Sequence, residues 1–186
     1  MLKKNITFGI LGLGRVVEKR LLSVFLNELK NAKVSIVYDK DRSKTNKYSK
    51  LLNCKKATKF SDLFNKNLDF IYIATESGNH YQHIKKCFIA NHNVIVEKPP
   101  VLKEIQLLEL VKIAKRKKLK FYSVFQNRLN KSVQFVKNYI KKNKDLVYIT
   151  LDLSWSRFQN YYNDWHGNWK MDGGVVSQQA IHHLDA

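Results

Sequence analysis

Apolar residues along this chain follow two alternating rhythms. Ile6 to Leu11 is a short run with β-branched members, and beyond Gly12-Leu13-Gly14 the positions Val17, Leu21, Val24, Phe25 and Leu29 recur at helical spacing within Val16 to Lys30. Val34 to Tyr38 again reads as a strand, ends at Asp39-Lys40-Asp41-Arg42-Ser43, and leads into a helix over Thr45 to Leu52. The alternation repeats: strands over Phe70 to Ala74, Val94 to Val96 and Phe121 to Val124, helices over Asn79 to Asn91 and Lys103 to Lys118. Strands separated by helices of this length specify parallel βαβ units, hence an α/β fold with a doubly wound parallel sheet.

Past Phe125 the pattern changes. Lys131 to Lys142 predicts a helix, and Leu146 to Trp155 a longer strand with Val147, Ile149, Leu151 and Leu153 in partial alternation. An aromatic polar loop follows, Arg157 to Asp172, and Gly173-Gly174 opens a last helix, Val175 to Leu184. The expected organisation is therefore a sheet domain over residues 1–124 and the start of an α+β second domain over 125–186. A lone long strand needs sheet partners, so the second domain is expected to be cut short.

The glycine turn carries the first chemistry. Gly12-x-Gly14 lies directly after a strand and directly before a helix, the arrangement that grips a dinucleotide pyrophosphate. The first glycine permits a tight turn and the second lets the backbone approach the anion, while the helix start at Arg15 and Val16 offers N–H donors and a favourable dipole. Asp39 closes the second strand at the distance where a carboxylate accepts hydrogen bonds from the adenine ribose. In place of a third small residue stands Val17, whose branched side chain is expected to push the helix away from the sheet. Asp39 disfavours a 2′-phosphate, whereas Lys40, Arg42, Ser43 and Lys44 beside it suit one, so the choice between NAD and NADP stays open.

Charge adds a competing possibility. Lys and Arg number 34 against 15 Asp and Glu, a formal net charge of +19. Such a surplus can mark a nucleic-acid binder. The densest runs, Lys112 to Lys120 and Lys137 to Lys144, fall at the ends of predicted helices, where cations oppose the dipole and stay solvated. That placement, in a chain also rich in Asn, Ile and Tyr, argues for surface filler over a nucleic-acid face. The two cysteines, Cys54 and Cys87, form no CxxC pair or Cys/His cluster, so no metal site is expected and a reducing compartment is favoured. No apolar run approaches the roughly 20 residues that span a bilayer, and no signal-peptide core follows Met1, so a cytoplasmic location is expected.

Glu97-Lys98-Pro99 after a buried strand, together with the segment Trp169 to Asp185, WKMDGGVVSQQAIHHLD, resembles the glucose-fructose oxidoreductase and inositol dehydrogenase family, Gfo/Idh/MocA. Ile73 to His80 is similar to that family's cofactor loop, with Glu76 where proline is common. The resemblance runs from about Thr7 to Asp185. It implies a Rossmann-type cofactor domain, NAD or NADP as cofactor, with Thr75, His80, Glu97 and Lys98 around it, and a homo-oligomer in full-length form. It further implies that Lys98 and His182 face each other across nicotinamide and a sugar. Alcohol oxidation removes a proton from oxygen as hydride leaves carbon, so a base must lie at the hydroxyl. His182 suits that role and Lys98 that of hydrogen-bond donor to the developing alkoxide, with the reverse assignment left open. His183 points off the same helix face and is read as structural. Many relatives carry an aspartate one turn before the histidine; this chain has Gln178, which can hydrogen-bond but not stabilise an imidazolium by charge. Arg157, Tyr161, Tyr162 and Trp169 resemble members acting on sugars and nucleotide-linked sugars, aromatic faces packing on the ring and Arg157 holding a carboxylate or phosphate. The expected activity is hydride transfer between nicotinamide and a hydroxyl or keto carbon of a sugar or nucleotide-sugar. The alternative is an inactive dinucleotide-binding fragment without a complete substrate domain.

Overall fold

The computed structural model describes residues 5–65, 67–143, 148 and 150–185. Six parallel strands form one sheet: β1 (Ile6–Leu11), β2 (Ala32–Tyr38), β3 (Lys55–Lys56), β4 (Phe70–Ile73), β5 (Val94–Val96) and β6 (Phe121–Ser123). Their order is β3-β2-β1-β4-β5-β6, the doubly wound Rossmann arrangement, and the winding reverses between β1 and β4.

Alternation within β1, β4 and β5, and between Ile36 and Val37 of β2, sends apolar side chains to both faces of the sheet. Leu11, Ile36, Ile71, Ile73, Val94 and Val96 point into one core, closed by Ile84, Cys87 and Phe88 of α2 (His80–Ile89) and by Leu110 and Ala114 of α3 (Glu104–Lys117). Ile10, Val34, Val37, Tyr72 and Ile95 point the other way, onto Val17 of the first helix and Tyr48 of α1 (Arg42–Leu51). A parallel sheet buried on both faces reads in sequence as short continuous apolar runs, which is what made β1, β2, β4 and β5 conspicuous.

Several boundaries differ from expectation for local reasons. Helix α1 starts three residues early because Asp41 caps it, its side chain accepting from the Ser43 N–H at 2.8 Å. The first helix, residues 15–28, contains two π-helical segments, Val17–Leu21 and Val24–Glu28. The widening begins at Val17, which is wholly buried beneath the turn. Strand β3 carries no apolar residue and was not anticipated; it is a two-residue edge strand of exposed lysines. The basic runs do sit at helix ends, Lys115, Arg116 and Lys117 in the last turn of α3 and Lys141 and Lys142 in that of α4 (Lys131–Lys142).

The expected strand over Leu146 to Trp155 is corrected where it is described. Residues 150–155 take no regular element, because a strand without a ladder partner leaves its N–H and C=O groups unsatisfied. Leu146, Val147 and Ile149 lie outside the described residues. After a single turn of helix, α5 (Trp169–Asp172), the chain forms a helix over residues 174–185, π-helical from Val176 to Ala180 and ending as α6 (Ile181–Asp185).

Candidate active site

The sheet reversal places the C-terminal ends of β1 and β4 at one crevice, where open α/β sheets bind ligands. A cleft of about 890 Å³ opens there. Gly12 lies at its floor with φ +89°, and its N–H donates to the Tyr38 carbonyl at 2.9 Å. A Cβ at this position would stand 2.7 Å from the Ala74 carbonyl carbon and oxygen, so only glycine lets the two strand ends come this close. Around Gly14 the opposite holds: a Cβ there would meet nothing within 4 Å. That open space faces the start of the first helix, whose first intrahelical bond on this turn is Glu18 N–H to Gly14 carbonyl at 3.1 Å. The N–H groups of the first turn have no helical acceptor. An anion cradle of this shape fits a dinucleotide pyrophosphate.

Asp39 is held beside this turn by two backbone donors. The Leu13 N–H reaches its Oδ2 at 2.6 Å and the Asp41 N–H its Oδ1 at 2.8 Å. Each oxygen keeps a lone pair free for a ribose hydroxyl. Next to it Lys40 forms an ion pair with Glu76, which arrives from the far side of β1 after β4.

At the other end of the cleft, β5 delivers Glu97 and Lys98. Glu97 is half-buried and accepts from the Tyr72 hydroxyl at 2.6 Å. Burial pushes its carboxyl up, opposed by that hydrogen bond and by Lys98. Burial likewise pulls the Lys98 ammonium down, with the Glu97 charge opposing. The Lys98 Nζ donates to the Gln178 backbone carbonyl at 2.5 Å. Gln178 lies in the π-helical segment of the last helix, a widening of the kind frequent at functional sites. One turn further on stands His182, 8 % exposed, its Nε2 3.3 Å from Gln126 Nε2 and its ring edge-on to Phe125. Burial, then the Lys98 and His183 charges, lower its pKa against the pull of Asp185. Its buried Nδ1 has no partner among the described residues.

The loop after Trp155 folds over the cleft. Arg15 reaches Asp164 at 3.2 Å and lies 5.6 Å from the Tyr161 ring centroid, Trp165 stacks on His166, and Gln179 donates to the Tyr161 hydroxyl at 2.9 Å. A second cavity of about 240 Å³ adjoins the first, sharing Tyr161, Gln178 and Gln179 with it and lined further by Trp155, Arg157, Tyr162 and Trp169.

Of the residues expected at the site, Gly12, Gly14, Arg15, Val16, Asp39, Thr75, Glu97, Lys98, Tyr161 and Gln178 line the main cleft. Arg157 and Trp169 line the second cavity instead. His182 is not among the residues lining either cavity; it packs against Gln126 and Phe125, one helical turn past the Gln178 carbonyl that Lys98 reaches. His80, expected at the cofactor, is wholly buried and does not line the cleft, one ring nitrogen 2.7 Å from the Pro99 carbonyl and the other 3.0 Å from that of Thr75. It ties the two cleft loops together. The Gln178 side chain accepts from Ser77 at 3.4 Å, and the side chain that meets His182 is Gln126, which sequence reasoning missed. His83 was also missed; it lines the cleft against Thr75 Oγ1 at 3.0 Å, with burial holding its pKa down to about 4. No sequence signal separates His83 from an ordinary helix histidine, whereas Gln126 stands just past a strand end, where α/β folds collect functional groups.

A reversed parallel sheet, a glycine turn shaped for pyrophosphate and a half-buried lysine held against the helix that bears His182 define a dinucleotide-binding α/β domain. Residues 6–125 match the GFO_IDH_MocA oxidoreductase family, NAD-binding Rossmann fold, and the chain belongs to that family. The WlbA dehydrogenase of Bordetella pertussis, solved with NADH and UDP-GlcNAcA, superposes with a TM-score of 0.92 at 26 % identity, over 100 % of this chain and 55 % of its own. The scyllo-inositol dehydrogenase of Lactobacillus casei shares the fold, with a TM-score of 0.69 at 24 % identity over 77 % of this chain and 44 % of its own. A dTDP-3,4-didehydro-2,6-dideoxy-alpha-D-glucose 3-reductase of Saccharopolyspora spinosa is 24 % identical over 119 residues, 63 % of this chain and 36 % of the reductase. The chain thus spans about half the length of these solved relatives and a smaller part of the reductase.

Proposed function

We propose that the chain is the cofactor-binding and catalytic part of a nicotinamide-dependent oxidoreductase acting on a hydroxyl or keto carbon of a sugar or nucleotide-sugar. The observation that carries this reading is the contact from Lys98 Nζ to the Gln178 carbonyl, which brings a desolvated ammonium from the sheet to the helix that bears His182. Bound NAD or NADP would supply the hydride acceptor or donor. Gly12, Gly14 and the amides of Arg15 and Val16 would hold its pyrophosphate and Asp39 its ribose, with Thr75 and Glu97 lining the cleft toward Lys98. His182, kept neutral by burial and by the nearby cation, takes the hydroxyl proton on a ring nitrogen. Lys98 donates a hydrogen bond to the same oxygen as negative charge develops on it.

Substrate class rests on the second cavity. Trp155, Trp169 and Tyr161 present aromatic faces suited to a sugar ring, and Arg157, 5.0 Å from the Trp155 ring centroid, carries a charge suited to a carboxylate or phosphate. The WlbA dehydrogenase was crystallised with UDP-GlcNAcA, and the Saccharopolyspora spinosa protein is by name a dTDP-sugar 3-reductase. We read residues 1–124 as the cofactor domain and 125–186 as belonging to a substrate and oligomerisation domain. No described helix is long and apolar enough to cross a membrane.

The test is a panel of sugars and nucleotide-sugars incubated with the chain and NAD or NADP, following reduced nicotinamide by absorbance. Activity in the parent that is lost separately in Lys98→Ala and His182→Ala supports the mechanism. Unchanged turnover in both variants removes it. Nucleotide binding without turnover on any member leaves the chain as a cofactor-binding unit.

A further inference from the structure

The ion pair between Lys40 and Glu76 spans the cleft mouth from one flanking strand to the other. Lys40 follows β2 and Glu76 follows β4, and β1 with its glycine turn lies between them. Both side chains line the cleft. Glu76 is the anchored partner: its side chain is only 16 % exposed, and its second oxygen accepts from Asn79 Nδ2 at 3.1 Å. Burial pushes Glu76 up, but Lys40, its own backbone N–H and Asn79 together hold it below the usual carboxylate value, so it stays charged. Lys40 is raised by the same contact.

Lys40 is also the residue directly after Asp39, and dinucleotide folds that accept an adenosine 2′-phosphate do so with a cation near this position. Of the neighbouring groups suited to such a phosphate, the Ser43 hydroxyl is already committed, donating to Asp41 at 2.6 Å. Arg42 is exposed and does not line the cleft, whereas Lys44 lines it and remains. We propose that Glu76 is a specificity-determining residue: by holding the Lys40 ammonium it withdraws a cleft-lining cation from a 2′-phosphate and makes the chain prefer NAD over NADP. The proposal rests on the nicotinamide-dependent reading above. It deepens that reading by assigning cofactor choice to a residue on the opposite side of the crevice from the ribose. Asp39 repels the extra phosphate directly, and Glu76 does so by removing its counter-charge.

Titrations of the chain with NADH and NADPH, read by nicotinamide fluorescence, test this through the ratio of the two dissociation constants. The parent is expected to bind NADH more tightly. Glu76→Gln, which frees Lys40 at nearly constant shape, is expected to shift the ratio toward NADPH by about fivefold or more, and Glu76→Ala to shift it the same way. Adding Lys40→Met to Glu76→Gln should cancel the shift, and about 1 M salt, where the Debye length is about 3 Å, should shrink it. A ratio unmoved in both Glu76 variants, or a shift that survives Lys40→Met, overturns the proposal. A parent that prefers NADPH overturns it as well. A parent with a native circular dichroism spectrum that binds neither nucleotide instead overturns the nicotinamide reading, and the proposal with it.

Discussion

Lys98, at the end of β5, donates to the backbone carbonyl of Gln178, 80 residues later, at 2.5 Å. The contact fixes the lysine one helical turn from His182, and it costs the ammonium much of its hydration. An ammonium in such a place is worth more to a developing negative charge than one in water, because the surrounding dielectric is lower. We therefore expect Lys98→Ala to lower kcat on the active substrate by about a hundredfold to a thousandfold with a smaller change in nucleotide affinity. Steady-state kinetics beside an NADH titration separates the two effects.

The pH profile follows from the charges around His182. Burial and the Lys98 charge lower its pKa from the ordinary value of 6.5. A base works when deprotonated, so in the oxidative direction kcat/KM should hold as pH falls past 6.5 and decline only at a lower pH. Replacing Lys98 by Met removes one of the lowering influences. The acid limb of the residual activity should then move upward, which a kcat/KM profile across pH 5 to 8, the range about the imidazole pKa of roughly 6.5, would show. A downward displacement would contradict the assignment of His182 as the base.

How much of this was legible in the sequence depended on the distance over which each feature is determined. The runs Ile6–Leu11, Phe70–Ile73 and Val94–Val96 announce themselves because both faces of the sheet are covered, and the glycine turn is local chemistry. Lys55–Lys56 pairs with β2 through backbone groups alone, so its side chains carry no signal. Alternation at Leu151 and Leu153 suggested a strand, yet Leu151 is 52 % exposed and unpaired, since alternation states a preference and a ladder needs a neighbour. The Arg15–Asp164 bridge joins positions 149 apart, and the Gln126–His182 contact joins positions 56 apart. Such pairs depend on where whole elements dock, which no spacing rule reaches.

Gln126 does at His182 what the Gln178 side chain does not. Its amide lies 3.3 Å from His182 Nε2, and the other ring nitrogen is left without a partner among the described residues. With the amide oxygen turned toward Nε2–H, Nδ1 carries the lone pair; with the amide nitrogen turned toward it, Nε2 does. Either way Gln126 selects the tautomer, which makes it a positioning residue. Gln126→Leu should lower kcat by about tenfold with little change in cofactor KM. Gln126→Glu should restore part of the rate and move the acid limb of kcat/KM upward, because a carboxylate there stabilises the imidazolium. A purely structural role would lower thermal stability in both variants and leave the limb in place.

Acid stability should report His83. Burial lowers its pKa to about 4 from 6.5, so between these values the unfolded chain binds a proton that the folded chain excludes. Stability from this group is intact above pH 6.5 and is lost progressively as pH falls to about 4. Wholly buried His80 acts in the same direction. Urea unfolding from pH 7 down to pH 4, the window set by His83, should give a free energy that declines with acid, and the decline should be shallower in His83→Gln.

The tightest steric constraint in the site is at Gly12. An alanine there must hold φ near +89° with its Cβ 2.7 Å from the Ala74 carbonyl and 2.8 Å from the Thr75 nitrogen. Backbone strain at a positive φ and overpacking against main chain each cost about 1–3 kcal/mol, and neither is relieved by rotating a side chain. Relief requires the ends of β1 and β4 to part, which widens the crevice where the pyrophosphate is to sit. Gly12→Ala is therefore expected to lose about 2 kcal/mol or more of stability in urea unfolding and to weaken NADH binding together with it. Full nucleotide affinity in a folded Gly12→Ala chain would show that the approach of these strand ends does not shape the cofactor cradle.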